Sequence, residues 1–134
     1  VHDPDSHFCR IAIVDDDADV RAALGSLLRS YGYSVTAYES ALDFLAGGGL
    51  AACHCIVTDL QMPGMSGIEL LEKLRGCGNP IPTVLMTAYP EAALRQRALQ
   101  AGAICFLAKP FEANDLMRCL QKAHDHAVPP PSQE

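Results

Sequence analysis

The chain has 134 residues, 49% of them apolar and 19% charged, and its 10 basic and 16 acidic side chains leave a net charge of −6. A single domain is expected at that size, hiding all but about 6,800 Å² of the roughly 21,000 Å² that the unfolded chain exposes, enough for one core without staples. The composition excludes a disordered tail and a fibrous repeat, and no Lys/Arg stripe marks a nucleic-acid binder. The longest stretches free of charge, Phe44–Thr58 and Gly76–Pro90, are broken by Gly or Pro and fall short of a bilayer span. No signal-peptide pattern opens the chain, so a soluble domain with no membrane partner is expected.

Ile11-Ala12-Ile13-Val14 is a short apolar run with the pattern of a strand buried on both faces. Val20, Ala23/Leu24, Leu27/Leu28 and Tyr31 then recur at helical spacing, and Gly32 stands where a helix stops. Ser34–Tyr38 predicts a second strand. Ser40 with Asp43 opens a short helix over Ala41–Ala46, closed by Gly47-Gly48-Gly49. Cys55-Ile56-Val57-Thr58, ended by Asp59, predicts a third strand. Ser66 with Glu69 then caps a helix through Leu70, Leu71 and Leu74 that stops at Gly76. Pro80 and Pro82 introduce a fourth strand, Thr83–Met86, followed by a helix over Glu91–Gln100. Ala103–Ala108 is the fifth strand, and Leu116, Leu120, Ala123 and Ala127 trace one face of a last helix.

Successive strand–helix units with short loops predict an α/β fold: a doubly wound, five-stranded parallel sheet of the flavodoxin-like order 2-1-3-4-5. The domain is expected over residues 8–127, with a Pro-rich linker or tail over residues 128–134. A first residue of Val rather than Met hints at a processed or excised piece. The six cysteines fall mostly in apolar runs and are expected to pack as reduced, small hydrophobes. Cys53-His54-Cys55 looks metal-like, but a strand would turn the imidazole away from both thiols and no second ligand pair answers them.

In such a sheet functional groups gather beyond the carboxyl ends of the strands. Asp15-Asp16, Asp59, Thr87 and Lys109 stand at the ends of the apolar runs. Carboxylates brought together repel and want a cation, and hard oxygen donors without His or Cys suit Mg²⁺ or Mn²⁺. Charge then balances, because Asp15, Asp16 and Asp59 carry −3 while a divalent ion and Lys109 supply +3. Such a site can accept a phosphoryl group on a carboxylate, with Thr87 as hydroxyl donor and Lys109 stabilising the oxygens. The Met62-Pro63-Gly64 turn leaves the Gln61 carbonyl free as a further metal ligand.

Ile13-Val14-Asp15-Asp16-Asp17, the stretch Thr58-Asp59-Leu60-Gln61-Met62-Pro63-Gly64-Met65-Ser66-Gly67, Met86-Thr87-Ala88 and Lys109-Pro110-Phe111 strongly resemble a response-regulator receiver domain of two-component signalling. The resemblance runs from about Arg10 to about His126 and is nearest to the FixJ-like transcriptional regulators. It implies that Asp59 is the phosphoacceptor, supplied by a phosphohistidine on a sensor histidine kinase. It implies that Asp16, Asp59 and the Gln61 carbonyl bind Mg²⁺ directly while Asp15 helps through water. Thr87 and Phe106 are by the same resemblance a switch pair, and the Lys109–Pro110 bond is expected to be cis. A cytoplasmic location is implied too, with no enzyme activity beyond the domain's own phosphotransfer and autodephosphorylation. The output face is that of the fourth helix, fifth strand and last helix, with a phosphorylation-dependent homodimer through it. The chain itself is not expected to bind DNA, and two outputs stay open: a C-terminal DNA-binding domain beyond this chain, as the resemblance suggests, or action of the chain alone. Cys105 stands where receivers often have Asp, and Phe106 where Tyr is frequent. Gln61 and Tyr89 stand by positions that tune phosphoryl lifetime in the family.

Blander roles compete at some positions. Asp17 and Asp19 are expected simply to cap the first helix. The alternating acids mimic a calcium loop, but Val20 and Ser26 occupy the positions that need Gly and Glu. A phosphohydrolase using an aspartyl intermediate would want an acid two residues after Asp59, where Gln61 stands, and room for a cap. A nucleotide carrier would want a Gly-rich phosphate loop where the acids lie. A degenerate interaction domain would lack groups that are all present here.

Overall fold

The computed structural model describes residues 10–48, 53–78 and 81–127; Gly49, Pro80, the start of the expected domain at residues 8–9 and the tail at 128–134 lie outside them. The apolar runs form β1 (Arg10–Val14), β2 (Ser34–Tyr38), β3 (Cys55–Asp59), β4 (Thr83–Thr87) and β5 (Cys105–Ala108). The amphipathic segments form α1 (Ala18–Ser30), α2 (Ala41–Ala46), α3 (Gly67–Gly76), α4 (Ala92–Gln100) and α5 (Ala113–Ala127). All strand pairs are parallel, in the order β2-β1-β3-β4-β5. The expected architecture is the observed one.

Helix boundaries follow their caps. The Asp17 carboxylate accepts from the Asp19 and Val20 backbone N–H groups at the start of α1. Ser66 and Glu69 form a reciprocal capping box on α3. β5 begins at Cys105 rather than at Ala103. The Ala103 N–H instead bonds the Ala98 carbonyl and closes the end of α4, so that residue belongs to the turn.

Strand pleat divides the core between two layers. On one side Ile11, Ile13, Val57, Val84 and Met86 pack against Leu24 and Leu28 of α1 and Leu116 and Leu120 of α5. On the other, Val14 and Ile56 meet Phe44 of α2 and Leu70 and Leu74 of α3, while Leu85 meets Ala98 of α4. Helices on both faces explain why β3 and β4 are buried at every residue and read as unbroken apolar runs.

The cysteines need one correction. Cys105 on β5 and Cys119 on α5 are joined as a disulfide. Apolar surroundings identify a buried cysteine but not what it faces, and here one strand face and one helix face bring two together. The Cys53-His54-Cys55 stretch has no metal-like arrangement: His54 Nδ1 accepts from the Arg10 backbone N–H at 3.2 Å, and both thiols are free.

Candidate functional site

The sheet order reverses beside β1, whose two neighbours are β2 and β3, so the chain leaves β1 and β3 to opposite faces and a crevice opens beyond their carboxyl ends. Val14 lies opposite Thr58, Asp59 opposite Met86, and Thr87 opposite Ala108. That register places Asp15, Asp16, Asp59, Thr87 and Lys109 at one edge. Carboxylate oxygens of Asp15, Asp16 and Asp59 lie within 4.8 Å of one another, the only such group of three His, Cys, Asp or Glu among the described residues. Lys109 Nζ reaches Asp59 Oδ1 at 3.0 Å and Asp15 Oδ2 at 3.1 Å. Asp15 and Asp59 are buried while Asp16 is exposed.

Local structure holds these groups in place. The Asp17 N–H donates to Asp15 Oδ1 at 2.9 Å, and Arg21 Nη1 donates to the Asp15 carbonyl at 2.7 Å. The Lys109 N–H donates to the Thr87 carbonyl at 2.7 Å, and the Lys109–Pro110 bond is cis, as expected. Gly64 takes the left-handed backbone that its turn requires, at φ 78°. Gly67 has another reason to be glycine. A Cβ there would stand 2.5 Å from the Asp59 carbonyl oxygen and 2.8 Å from a Leu85 methyl, so α3 could not approach the end of β3.

Burial pushes the Asp59 carboxyl above its ordinary value; Lys109 pulls it back, and Asp15 and Asp16 push it further up. Desolvation works against the Lys109 ammonium, yet its bonds to Asp59 and Asp15 prevail and raise it. The arrangement concentrates negative charge in a crevice, buried at Asp15 and Asp59 and open at Asp16, with Lys109 to oppose it.

Thr87 is fully buried, and its hydroxyl is engaged twice. Oγ1 donates to the Gln61 side-chain Oε1 at 2.8 Å and accepts from the Tyr89 N–H at 2.9 Å. The sequence pointed to Gln61 for its carbonyl; its side chain's hold on Thr87 was not visible there, because the partners stand 26 residues apart. Gly67 did leave a signal, a glycine in the first helical turn straight after the Ser66 cap. Phe106 is half-buried on the α4 side of β5, beside Leu94, with the Arg95 guanidinium 5.9 Å from its ring centre.

The response regulator receiver domain family matches residues 11–121. The chain belongs to that family. As a receiver it is 41% identical over 113 residues to the response regulator protein TmoT of Ectopseudomonas mendocina, covering 84% of this chain and 51% of that protein. It is 37% identical over 124 residues to the transcriptional regulatory protein FixJ of Bradyrhizobium diazoefficiens, covering 92% and 60%. The receiver thus spans about half to three-fifths of the length of these relatives. The crystal structure of FixJ-N superposes with a TM-score of 0.82 at 35% identity, over 90% of this chain and 97% of that one. The response regulator StyR gives 0.82 at 40% identity, over 90% and 61%. Like other receivers, this one is a signalling domain of a two-component regulator. None of its described helices is long and apolar enough to cross a membrane.

Proposed function

We propose that Asp59 accepts a phosphoryl group from a phosphohistidine on a sensor histidine kinase, and that Thr87 and Phe106 relay the change to the face of α4, β5 and α5. The observation that carries this reading is the carboxylate triad of Asp15, Asp16 and Asp59, with Lys109 Nζ about 3 Å from two of its members. Three carboxylates and one ammonium sum to −2, the complement of one Mg²⁺ or Mn²⁺, and every donor is the hard oxygen that those ions prefer. Asp15 already spends its oxygens on the Asp17 N–H and Lys109, which suits a water-bridged role. Asp16, Asp59 and the Gln61 carbonyl are then the direct ligands. When bound, the ion neutralises charge on the phosphoryl oxygens.

An Asp59 carboxylate oxygen forms the new bond to phosphorus as the phosphorus–nitrogen bond breaks, and the imidazole nitrogen leaves with the electron pair. Lys109, held in place by Asp15, meets the negative charge on the transferred oxygens. Phosphorylation adds about one negative charge near neutral pH and brings acceptors that need donors. Thr87 has one hydroxyl proton, so donating it to the phosphoryl group means releasing Gln61. Movement of Thr87 toward Asp59 opens space into which the Phe106 ring can turn, and the face bearing Arg95, Cys105 and Arg118 changes shape; Arg97, expected on that face, instead lines the α3 side of α4 with Gln61 and Ser66. That face is the surface of a phosphorylation-dependent homodimer.

The domain acts in the cytoplasm and catalyses only its own phosphotransfer and autodephosphorylation. Residues 8–127 form the receiver and 128–134 a linker to a C-terminal DNA-binding domain, which sets transcription. At a net charge of −6 the chain itself has no counterion-release term for duplex DNA.

Acetyl phosphate with Mg²⁺ should add ~80 Da to the intact mass, the weight of one phosphoryl unit on an activated nucleophile. Chelation of the metal, or Asp59→Asn, should abolish the gain; an Asp59→Asn protein that still gains it removes Asp59 from the role. Sedimentation of wild type and Thr87→Val, each with and without beryllofluoride, tests the relay. Identical responses exclude Thr87, and no association in either excludes the dimer face. Micromolar, salt-sensitive binding of duplex DNA by this chain would contradict the division of labour.

A further inference from the structure

We propose that Cys105 and Cys119 form a reversible thiol–disulfide site, exchanging with a small thiol–disulfide couple of the glutathione type, that restrains the segment carrying Phe106 and Lys109. The two residues are 14 apart in sequence and their Cα atoms 5.7 Å apart, a separation that a disulfide spans without displacing the backbone. Both border an open groove of about 440 Å³ between the β5 edge and α5, together with Asp115, Arg118 and Lys122. Arg118 is paired with Asp115, which leaves Lys122 as the groove cation that favours an attacking thiolate and suits a carboxylate of an anionic tripeptide disulfide. Cys105 is half-buried while Cys119 is 2% exposed, so an incoming disulfide meets Cys105 first.

Burial does not by itself single out the paired cysteines, since Cys53 and Cys55 are covered to about the same degree as Cys105 and Cys119 and yet stay unpaired. Burial pushes the Cys53 thiol up to about 11 and the Cys55 thiol higher still, and both are free. Nor does the fold call for a staple, since apolar clusters cover both faces of the sheet. In the cytoplasm proposed above, a disulfide in a domain with its own core is a transient, redox-sensing bond.

Closure balances without leftover electrons. The Cys105 thiolate attacks one sulfur of the small disulfide, and the other half leaves and takes up the proton. The Cys119 thiolate then attacks the Cys105 sulfur and expels the second small thiol. Two cysteine thiols and one small disulfide become one protein disulfide and two small thiols.

The ring so closed contains Phe106, Lys109 and the cis Pro110. Cys105 packs toward α5 while its neighbour Phe106 packs toward α4, so the bond pins β5 to α5 directly beside the ring that has to turn. The oxidised form therefore resists the change that phosphorylation drives. This coupling rests on the phosphoacceptor reading; the exchange chemistry does not.

The test is a titration of the whole chain in glutathione buffers of rising oxidised fraction, with thiols trapped by N-ethylmaleimide and mapped by mass. Cys105 and Cys119 should lose reactivity together, regain it on reduction, and behave the same in Asp59→Asn. Cys119→Ser should instead trap one glutathione on Cys105. Cysteines that stay alkylatable throughout, or a bond that no buffer opens, would overturn the site. Beryllofluoride with Mg²⁺ should bind the reduced wild type about fivefold more tightly than the oxidised form, the lower end of allosteric couplings. Cys105→Ser/Cys119→Ser should show one affinity under both conditions. Equal affinities in the two wild-type forms overturn the coupling. Absence of binding in both would sink the phosphoacceptor reading while leaving the thiol result to stand alone.

Discussion

Every residue of β3 and β4 is buried, whereas in β5 only Leu107 is, and α4 beside it buries only Ala98. The end of the sheet that carries Asp59 is thus closely packed, while the end that carries Phe106 is thinly covered. The proposed phosphotransfer asks that Asp59 keep its geometry against Lys109, and dense packing on both faces supplies that. In the proposed relay Phe106 changes its surroundings at low cost, and a short edge strand beside a lightly anchored helix permits it. One continuous sheet joins the two regions through the β4–β5 register, in which Thr87 lies opposite Ala108.

Core truncation should separate the regions most sharply. Leu85→Ala, at a fully buried site in β4, is expected to cost about 3 kcal/mol in urea unfolding. Leu99→Ala, 46% exposed on α4, should stay within about 0.5 kcal/mol. Comparable losses would erase the contrast.

Charge removal comes next. Lys109→Ala should slow phosphoryl uptake from acetyl phosphate by about 10²-fold, the scale of losing one preorganised donor, with Mg²⁺ saturating. Phe106→Ala should leave that rate within about threefold, because the ring packs among apolar side chains on the α4 side of the sheet. A large rate loss in Phe106→Ala would mean that the exposed region shapes the chemistry as well as the readout.

The buried carboxylate should also be visible in stability. Burial raises Asp59 above 3.8, so the folded state holds its proton to higher pH than the unfolded chain does. Stability from this group is therefore full below the ordinary carboxylate value and is lost as pH rises through the folded one. Metal-free Asp59→Asn should melt higher than wild type at pH 7, and the gain should vanish as pH falls below about 3.8, the ordinary aspartate value. Saturating Mg²⁺ should narrow the gap by stabilising wild type. An equal or lower melting temperature for the variant at pH 7 would show that Lys109 fully offsets burial.

The smallest effect concerns the hydroxyl. Gln61→Leu removes the acceptor that holds the Thr87 proton and should tighten beryllofluoride binding by about threefold, the worth of one neutral hydrogen bond. In a Thr87→Val background the same change should do nothing. An equal effect in both backgrounds would detach Gln61 from Thr87.

Periodicity and caps made much of this protein readable before any coordinates. Short apolar runs ended by Asp15, Asp59 and Thr87 could only be parallel strands with their ends together, because the alternating helices dictate the crossover. Lys109 came from the same logic, and Asp17 and the Ser66–Glu69 box mark helix starts through bonds made within three residues. The tertiary structure alone decided the contacts between elements. The Gln61–Thr87 bond joins a loop to a strand, and the Cys105–Cys119 bond joins a strand face to a helix face. Whether Phe106 looks toward α4 or α5 depends likewise on which layer each helix occupies. A strand's pleat and a helix's turn set directions locally, but which directions meet is settled only when both layers close on the sheet.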